Sequence, residues 1–358
     1  MGMKHCVILI AVLLSAASLS ACSSLRYYSQ AIAGQWKVLQ AREDIAGLIS
    51  NPETPDALVD QLIQAQAIRR YASDVLGLPD NDSYTQYADV QRPYVVWNVV
   101  AAPLDSLSPL RHCFPFAGCV VYRGFFQQGA AQAYADSLQQ QGYEIYLYGV
   151  RAYSTLGWFD DPILNTMLNT GSELYLAGLI FHELTHQVVY VKGASEFNES
   201  FATAIEELAL QQWLLDKGRT DLQQRQLRGQ QRQQQFFALV RQHRERLLDI
   251  YSQPSFNQTE KKAVYTGLVS GYESLKQEWR GYSAYDHWFE SQLNNAKLAV
   301  FSTYNTQVDD IKAHYHSCGL TMPQYLKWVA RAKLGSESLR RDFFLNSVQC
   351  SDVINSLD

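Results

Sequence analysis

Residues 181–186 read Phe181-His182-Glu183-Leu184-Thr185-His186, and a second block, Asn198-Glu199-Ser200-Phe201-Ala202, follows after a short connection. The run from Glu173 to Ile180 leading in, and Gln187-Val188-Val189-Tyr190-Val191 leading out, are largely apolar, which predicts a buried helix through the first block. On that helix the two histidines stand four apart on one face, where both imidazoles can reach a single metal ion. Glu183 lies one step round, placed to take a proton from activated water rather than to bind the ion. Two imidazoles and a carboxylate on a buried helix need partners, and a metal satisfies them together. The competing reading is a pair of core histidines hydrogen-bonded to their neighbours.

The third ligand follows from what comes next. An elongated site would need Gly and a third His soon after His186, but the chain continues Gln187-Val188-Val189-Tyr190-Val191-Lys192, so a carboxylate is expected instead. Glu196, Glu199, Glu206 and Glu207 all lie downstream. The spacing predicts a helix beginning at Asn198 as N-cap, with Phe201, Ile205 and Leu208 on one stripe. Glu199 and Glu206 are seven apart and share a face, so one can ligate while the other braces a histidine.

Together His182-Glu183-Leu184-Thr185-His186-Gln187 and Asn198-Glu199-Ser200-Phe201-Ala202-Thr203 resemble the gluzincin metallopeptidases, whose zinc aminopeptidases carry H-E-x-x-H and then N-E-x-F-A. The resemblance implies one Zn2+ per chain held by His182, His186 and Glu199, with Glu183 as general base and a peptide as substrate. Twelve residues separate His186 from Glu199, a shorter connection than in those aminopeptidases. Nineteen separate His186 from Glu206, the spacing of thermolysin-like enzymes, which keeps Glu206 as the alternative ligand or the brace. Further blocks, Cys113-Phe114-Pro115-Phe116-Ala117-Gly118-Cys119-Val120-Val121-Tyr122-Arg123-Gly124, Ala152 to Phe159 and Asn294-Asn295-Ala296-Lys297-Leu298, resemble a bacterial family of predicted aminopeptidases, many of them lipoproteins. The G-x-M-E-N block with which many gluzincin aminopeptidases grip a free N-terminus is missing. An envelope endopeptidase is therefore the alternative activity, and a metal-binding, non-catalytic envelope lipoprotein is the alternative from another class.

The N-terminus sets the expected compartment. Lys4 and His5 precede the uncharged run Cys6 to Ala17, and Leu19-Ser20-Ala21-Cys22 closes it as a lipobox. Cleavage before Cys22 and lipidation of its thiol would tether the protein to a membrane. Ser23 next in line points to the outer membrane, with the body facing the periplasm. Cys113, Cys119, Cys318 and Cys350 then remain, an even number suited to two disulfides in an oxidising space, most simply 113 with 119 and 318 with 350. The formal charge of -5 and the lack of clustered Lys and Arg exclude a nucleic-acid partner. Oligomeric state has no signature in the sequence.

The expected fold class is α+β, mainly α: a gluzincin-like zinc peptidase with a small β-sheet beside the active-site helix and a helical C-terminal lobe. The segments are a signal peptide (1–21), a lipid-tethered helical segment (22–90), an α/β catalytic core with the zinc motif (91–215) and the helical lobe (216–358). Tyr94 to Ala102, Gly118 to Tyr122 and Glu144 to Val150 read as strands, with a helical crossover from Gln127 to Gln141. Ala152 to Phe159 is the candidate strand for pairing with a substrate backbone. Amphipathic helices are expected over 211–250, 258–279, 286–310 and from Met322. Tyr282, Tyr304, His314 and His316 are candidates for a second oxyanion donor, although a surface or capping role suits the last two.

Overall fold

The computed structural model describes residues 25–114, 118–301, 307–332 and 334–345. Helix α1 (residues 25–40) leads into β1 (Arg42–Asp44), α2 (Ile45–Ser50), α3 (Asp56–Asp74) and β2 (Gln86–Ala88). Then come β3 (Val96–Ala102), the hairpin of β4 (His112–Phe114) and β5 (Gly118–Val120), β6 (Arg123–Phe125), α4 (Gln128–Gln140) and β7 (Glu144–Val150). A short β8 (Ile163–Leu164) and α5 (Asn165–Leu168) precede the long central pair α6 (Glu173–Val188) and α7 (Ser195–Asp216). Helices α8 (Thr220–Tyr251), α9 (Gln258–Glu278), α10 (Asp286–Glu290), α11 (Asn295–Phe301), α12 (Val308–Cys318), α13 (Met322–Arg331) and α14 (Glu337–Leu345) complete a mainly helical α+β fold.

Strand β3 is buried along its whole length because both of its faces are covered. It lies between β6 and β7 and runs antiparallel to both. Period-two alternation sends Trp97, Val99 and Ala101 into a layer with Ala131, Ala135 and Leu138 of α4. Val100 and Ala102 point the other way, toward Ala296 of α11, and Asn98 on the same face looks into the central cleft. The crossover from β6 through α4 to β7 lies where the sequence puts it. A second sheet, β1-β2-β8, pairs β1 with β2 antiparallel and β2 with β8 parallel.

The main core gathers residues from Val38 of α1 to Phe344 of α14 around the apolar faces of α6 and α7. Phe236, Val240 and Leu247 of α8 build a second core with Leu268, Tyr272 and Trp279. The described helices after α7 thus divide between two cores, α8 from Phe236 onward with α9 to α11 making one, and α12 to α14 returning to the other. The glutamine-rich stretch 230–235 is helical, joining Leu222 to the buried stripe Phe236, Val240, Leu247 and Ile250 on the same helix, α8.

Where one helix is expected over 286–310, the described residues form two short ones, α10 and α11, and the start of α12. Asn294 and Asn295 explain the break. Asn294 donates from Nδ2 to the Ile145 carbonyl (2.8 Å), and Asn295 donates from its backbone N to Glu144 Oε2 (2.6 Å) and from Nδ2 to the Pro103 carbonyl (2.8 Å). Tyr251 and Tyr265 both donate to Asn295 Oδ1. Asn295, buried, and Asn294, half-buried, tie α8, α9 and α11 to the sheet. Cys22, Tyr304 and Cys350 lie outside the described residues; Cys113 and Cys119 are disulfide-bonded across the β4-β5 hairpin. Among the described residues no helix is long and apolar enough to cross a membrane.

Candidate metal centre

Helix α6 starts where Ser172 accepts a hydrogen bond from the Tyr175 N–H (3.3 Å). Leu176, Ile180 and Leu184 hold its inner face in the core, while His182, Glu183 and His186 line the cleft. Helix α7 begins at Ser195, four residues earlier than an N-cap at Asn198 would start it, so Asn198 is not its N-cap. Its side chain has another use: Asn198 Oδ1 accepts from the Val191 N–H (2.8 Å) and Nδ2 donates to the Val191 carbonyl (2.9 Å). That reciprocal pair closes the turn between the helices and presents Glu199 to α6.

The histidine rings stand 4.9 Å apart, edge to face. His182 Nε2 lies 3.4 Å from Glu199 Oε2, and His186 Nε2 lies 3.7 Å from Glu199 Oε1. These two nitrogens and the Glu199 carboxylate could hold one metal ion, their ligand atoms falling within 4.8 Å of one another. Glu206 sits at the other edge of His182, its Oε2 3.0 Å from Nδ1. Gly178, one turn before His182, makes that approach possible, since a Cβ there would stand 2.7 Å from Glu206 Oε1. The seven-residue separation therefore brings both glutamates to His182, from opposite sides of the ring.

The charge balance suits a cation. Glu183, Glu199 and Glu206 line the cleft with two imidazoles, and no Lys or Arg is among the described lining residues. Burial opposes protonation of His182, but the Glu199 and Glu206 carboxylates outweigh it and hold its pKa well above the ordinary value. Burial and the neighbouring His182 push His186 down to about 4, leaving it neutral with a lone pair to give. Burial raises Glu199, and its bond to His182 reverses this, so its pKa ends below the ordinary value and it stays ionised. Burial lifts Glu183 to about 7, against the pull of His182 and with Glu199 adding to the rise. Two neutralisable nitrogens, an ionised carboxylate and an excess of negative charge form a donor set that fits a divalent ion.

The cleft has a volume of about 750 Å³ between the helix pair and the sheet. Ala152 to Leu156 line it, but as irregular chain and turn rather than as the expected strand. Asp161 holds this segment, its Oδ2 accepting from the Thr155 N–H (2.7 Å) and hydroxyl (3.0 Å). None of the described oxyanion candidates reaches the cleft. Tyr282 packs under Arg232 beside the second core, His316 is exposed, and His314 is buried, hydrogen-bonded to Tyr325 and stacked on Trp328. His314 is thus a core residue rather than a surface or capping one.

Tyr122, between β5 and β6, lines the cleft instead. Burial, and then the negative charge of Glu199, raise its hydroxyl far above the ordinary tyrosine pKa, so it keeps its proton. The pattern that could have shown it is Gly118-Cys119-Val120-Val121-Tyr122, in which the disulfide hairpin fixes the strand end before the tyrosine. Gly118 allows the close approach: a Cβ there would lie 2.7 Å from the backbone N of Gly193, in the turn joining α6 to α7.

Fold and site together define a mainly helical α+β protein with a His/His/Glu cluster able to hold a metal ion. The chain belongs to the family described as "Putative aminopeptidase", whose model matches residues 26–344. No curated protein and no solved structure matches it.

Proposed function

We propose that this protein is a gluzincin-type, zinc-dependent peptidase, with His182, His186 and Glu199 as ligands of one zinc ion and Glu183 as general base. The convergence of both Nε2 atoms on the Glu199 carboxylate carries this reading. Three such protein ligands are the pattern of catalytic zinc, which keeps one position open. A bound zinc ion supplies Lewis acidity, lowering the pKa of water and offsetting the charge that develops on the scissile carbonyl oxygen. Glu183, raised toward neutrality by burial, takes the proton of the attacking water and passes it to the leaving amine. Tyr122, held protonated in the cleft wall, donates a hydrogen bond to the developing oxyanion. Glu206 accepts the His182 Nδ1 proton, which fixes the tautomer and turns the Nε2 lone pair toward Glu199.

The family description supports an aminopeptidase. One observation favours the endopeptidase reading: among the described residues the acids lining the cleft are Glu183, Glu199 and Glu206, all engaged in the roles above, which leaves no further described lining carboxylate for a peptide's terminal ammonium. Peptides blocked at the N-terminus separate the two, because an aminopeptidase needs the free amine. The lipobox ending at Cys22 supports a lipid-anchored protein of the outer membrane facing the periplasm, and the Cys113–Cys119 disulfide suits that oxidising space.

The purified chain is expected to carry about one zinc ion and to cleave peptides. Glu183→Gln should retain the metal and lose at least about 100-fold in turnover. Undiminished hydrolysis by that variant would sink the mechanism, and a purified, metal-loaded protein without turnover would leave only a metal-binding envelope protein.

A further inference from the structure

Helix α1 presents two unlike faces. The inner one is fixed to the body. Tyr27 stacks on Phe114 with ring centroids 5.8 Å apart and lies under the Arg123 guanidinium at 4.0 Å. Gln30 accepts from the Phe126 N–H (3.1 Å), and Gly34 lies so close to Phe126 that a Cβ would meet the ring. Val38 is buried in the main core. On this same side Tyr27, Ala31 and Gln35 line the cleft that holds the metal cluster.

The outer face is apolar and open. Leu25 is 72% exposed, Tyr28 40%, Ile32 69% and Trp36 59%. Wound at about 100° per residue, these four fall within an arc of about 80°, and Arg26 and Lys37 flank them along one side. No acidic residue occurs before Glu43. The inner contacts prevent α1 from rolling to bury the stripe, so something outside the body must cover it. Aliphatic and amphipathic aromatic residues on one face, with cations beside them and no anions, form the pattern of a helix lying in a lipid interface. The positive flank is complementary to anionic headgroups. Only Ser23 and Ser24 separate the stripe from Cys22, where the apolar N-terminal segment ends.

We propose that the outer stripe of α1 seats on the membrane surface, Leu25, Tyr28, Ile32 and Trp36 entering the headgroup boundary. The helix then forms the cleft wall on one side and the membrane contact on the other, so the cleft is held at a set orientation to the lipid. The lipid on Cys22 would tether the chain at one point only, and an apolar, basic helix directly after it supplies the second contact that fixes how the body lies on the surface. Of the proposed function this uses only the tether at Cys22, and nothing in it depends on peptide hydrolysis.

The test uses the full chain purified from the envelope and reconstituted into phosphatidylethanolamine–phosphatidylglycerol vesicles. A nitroxide at Ile32→Cys should gain access to oxygen and lose access to an aqueous nickel chelate, while one at Leu227→Cys, an exposed apolar position on α8, stays water-accessible in both respects. With Trp36→Glu added, the nitroxide at 32 should regain about tenfold or more of its access to the aqueous chelate, because a charged side chain one turn away no longer enters the headgroup boundary while the lipid on Cys22 keeps the chain on the vesicle. Equal aqueous access at 32 and 227 overturns the proposal. Protection at 32 that appears without vesicles and grows with protein concentration also overturns it, in favour of a second copy covering the stripe. Intact mass reports the lipid on Cys22, and metal content with peptide turnover reports the zinc site. Failure of either leaves the nitroxide result readable.

Discussion

Glu206 distinguishes an orienting carboxylate from a metal ligand. Its Oε2 lies 3.0 Å from His182 Nδ1, while the Nε2 of the same ring faces Glu199 at 3.4 Å. Glu206→Gln keeps the size of the side chain and exchanges a charged acceptor for a neutral one, roughly halving the strength of the bond. Loss of such a partner typically costs about 10–100-fold in metal affinity, or about 1.4–2.7 kcal/mol. Gly178 gives an independent handle on the same contact. The Cβ of Gly178→Ala would stand 2.7 Å from Oε1 and 3.3 Å from Cδ of Glu206, so the carboxylate must retreat by roughly 0.7 Å to reach ordinary contact, stretching a 3.0 Å hydrogen bond toward the limit of usefulness. Its effect should lie near the lower end of that range, and adding Glu206→Gln to it should cost less than the sum of the two. Zinc affinity measured by competition with a chromogenic chelator reads all three variants, with Glu199→Ala as the comparison expected to lose stoichiometric binding. Wild-type affinity in Glu206→Gln would refute the orienting role. A loss as complete as that of Glu199→Ala would make Glu206 a ligand.

Tyr122→Phe removes the proposed oxyanion donor without changing the cleft's shape; kcat should fall about 100-fold with KM little altered, and equal loss in both, or none, would exclude the role. Burial raises Asp161 to about 6 although Thr155 donates to it twice. Its folded pKa lies above the ordinary 3.8, so the stability it contributes is full below about pH 4 and is lost as pH rises through about 6. Asp161→Asn should flatten that part of the stability–pH curve, by up to about 3 kcal/mol between the two limits, in urea melts at stepped pH; an unchanged slope would show that Asp161 does not hold its proton. Asn295→Ala strips partners from Tyr251, Tyr265 and the Pro103 carbonyl, and should cost about 3 kcal/mol of stability by denaturant titration while zinc content stays the same.

The sequence exposes the parts of this molecule that are written in local periodicity. The apolar flanks of His182 predict α6, the run 96–102, apolar but for Asn98, is buried on both faces as β3, and the stripe from Phe236 to Ile250 overrides a glutamine-rich composition to make α8. What local pattern cannot carry is a side chain whose partner lies far along the chain. Asn198 has the composition of an N-cap, yet it closes the preceding turn, because Val191 offers both a donor and an acceptor to one amide. Asn294 and Asn295 sit within a helical stretch and interrupt it, since bonds to residues about 150–190 positions away outweigh continuing the helix. The aromatics of 152–159 suggest a strand, but the capping of Thr155 by Asp161 bends the chain there. Tyr122 shows the same limit at the site itself: the sequence contains 22 tyrosines, and the placing of this one in the cleft wall goes with the disulfide hairpin before it and the close approach of Gly118 to Gly193. The His182 and His186 pair, with Glu183 between them, is legible because one helix fixes its spacing; the sequence narrows the carboxylate that completes the cluster only to Glu199 or Glu206, and misses Tyr122, because these come from elements that meet the pair only in the folded chain.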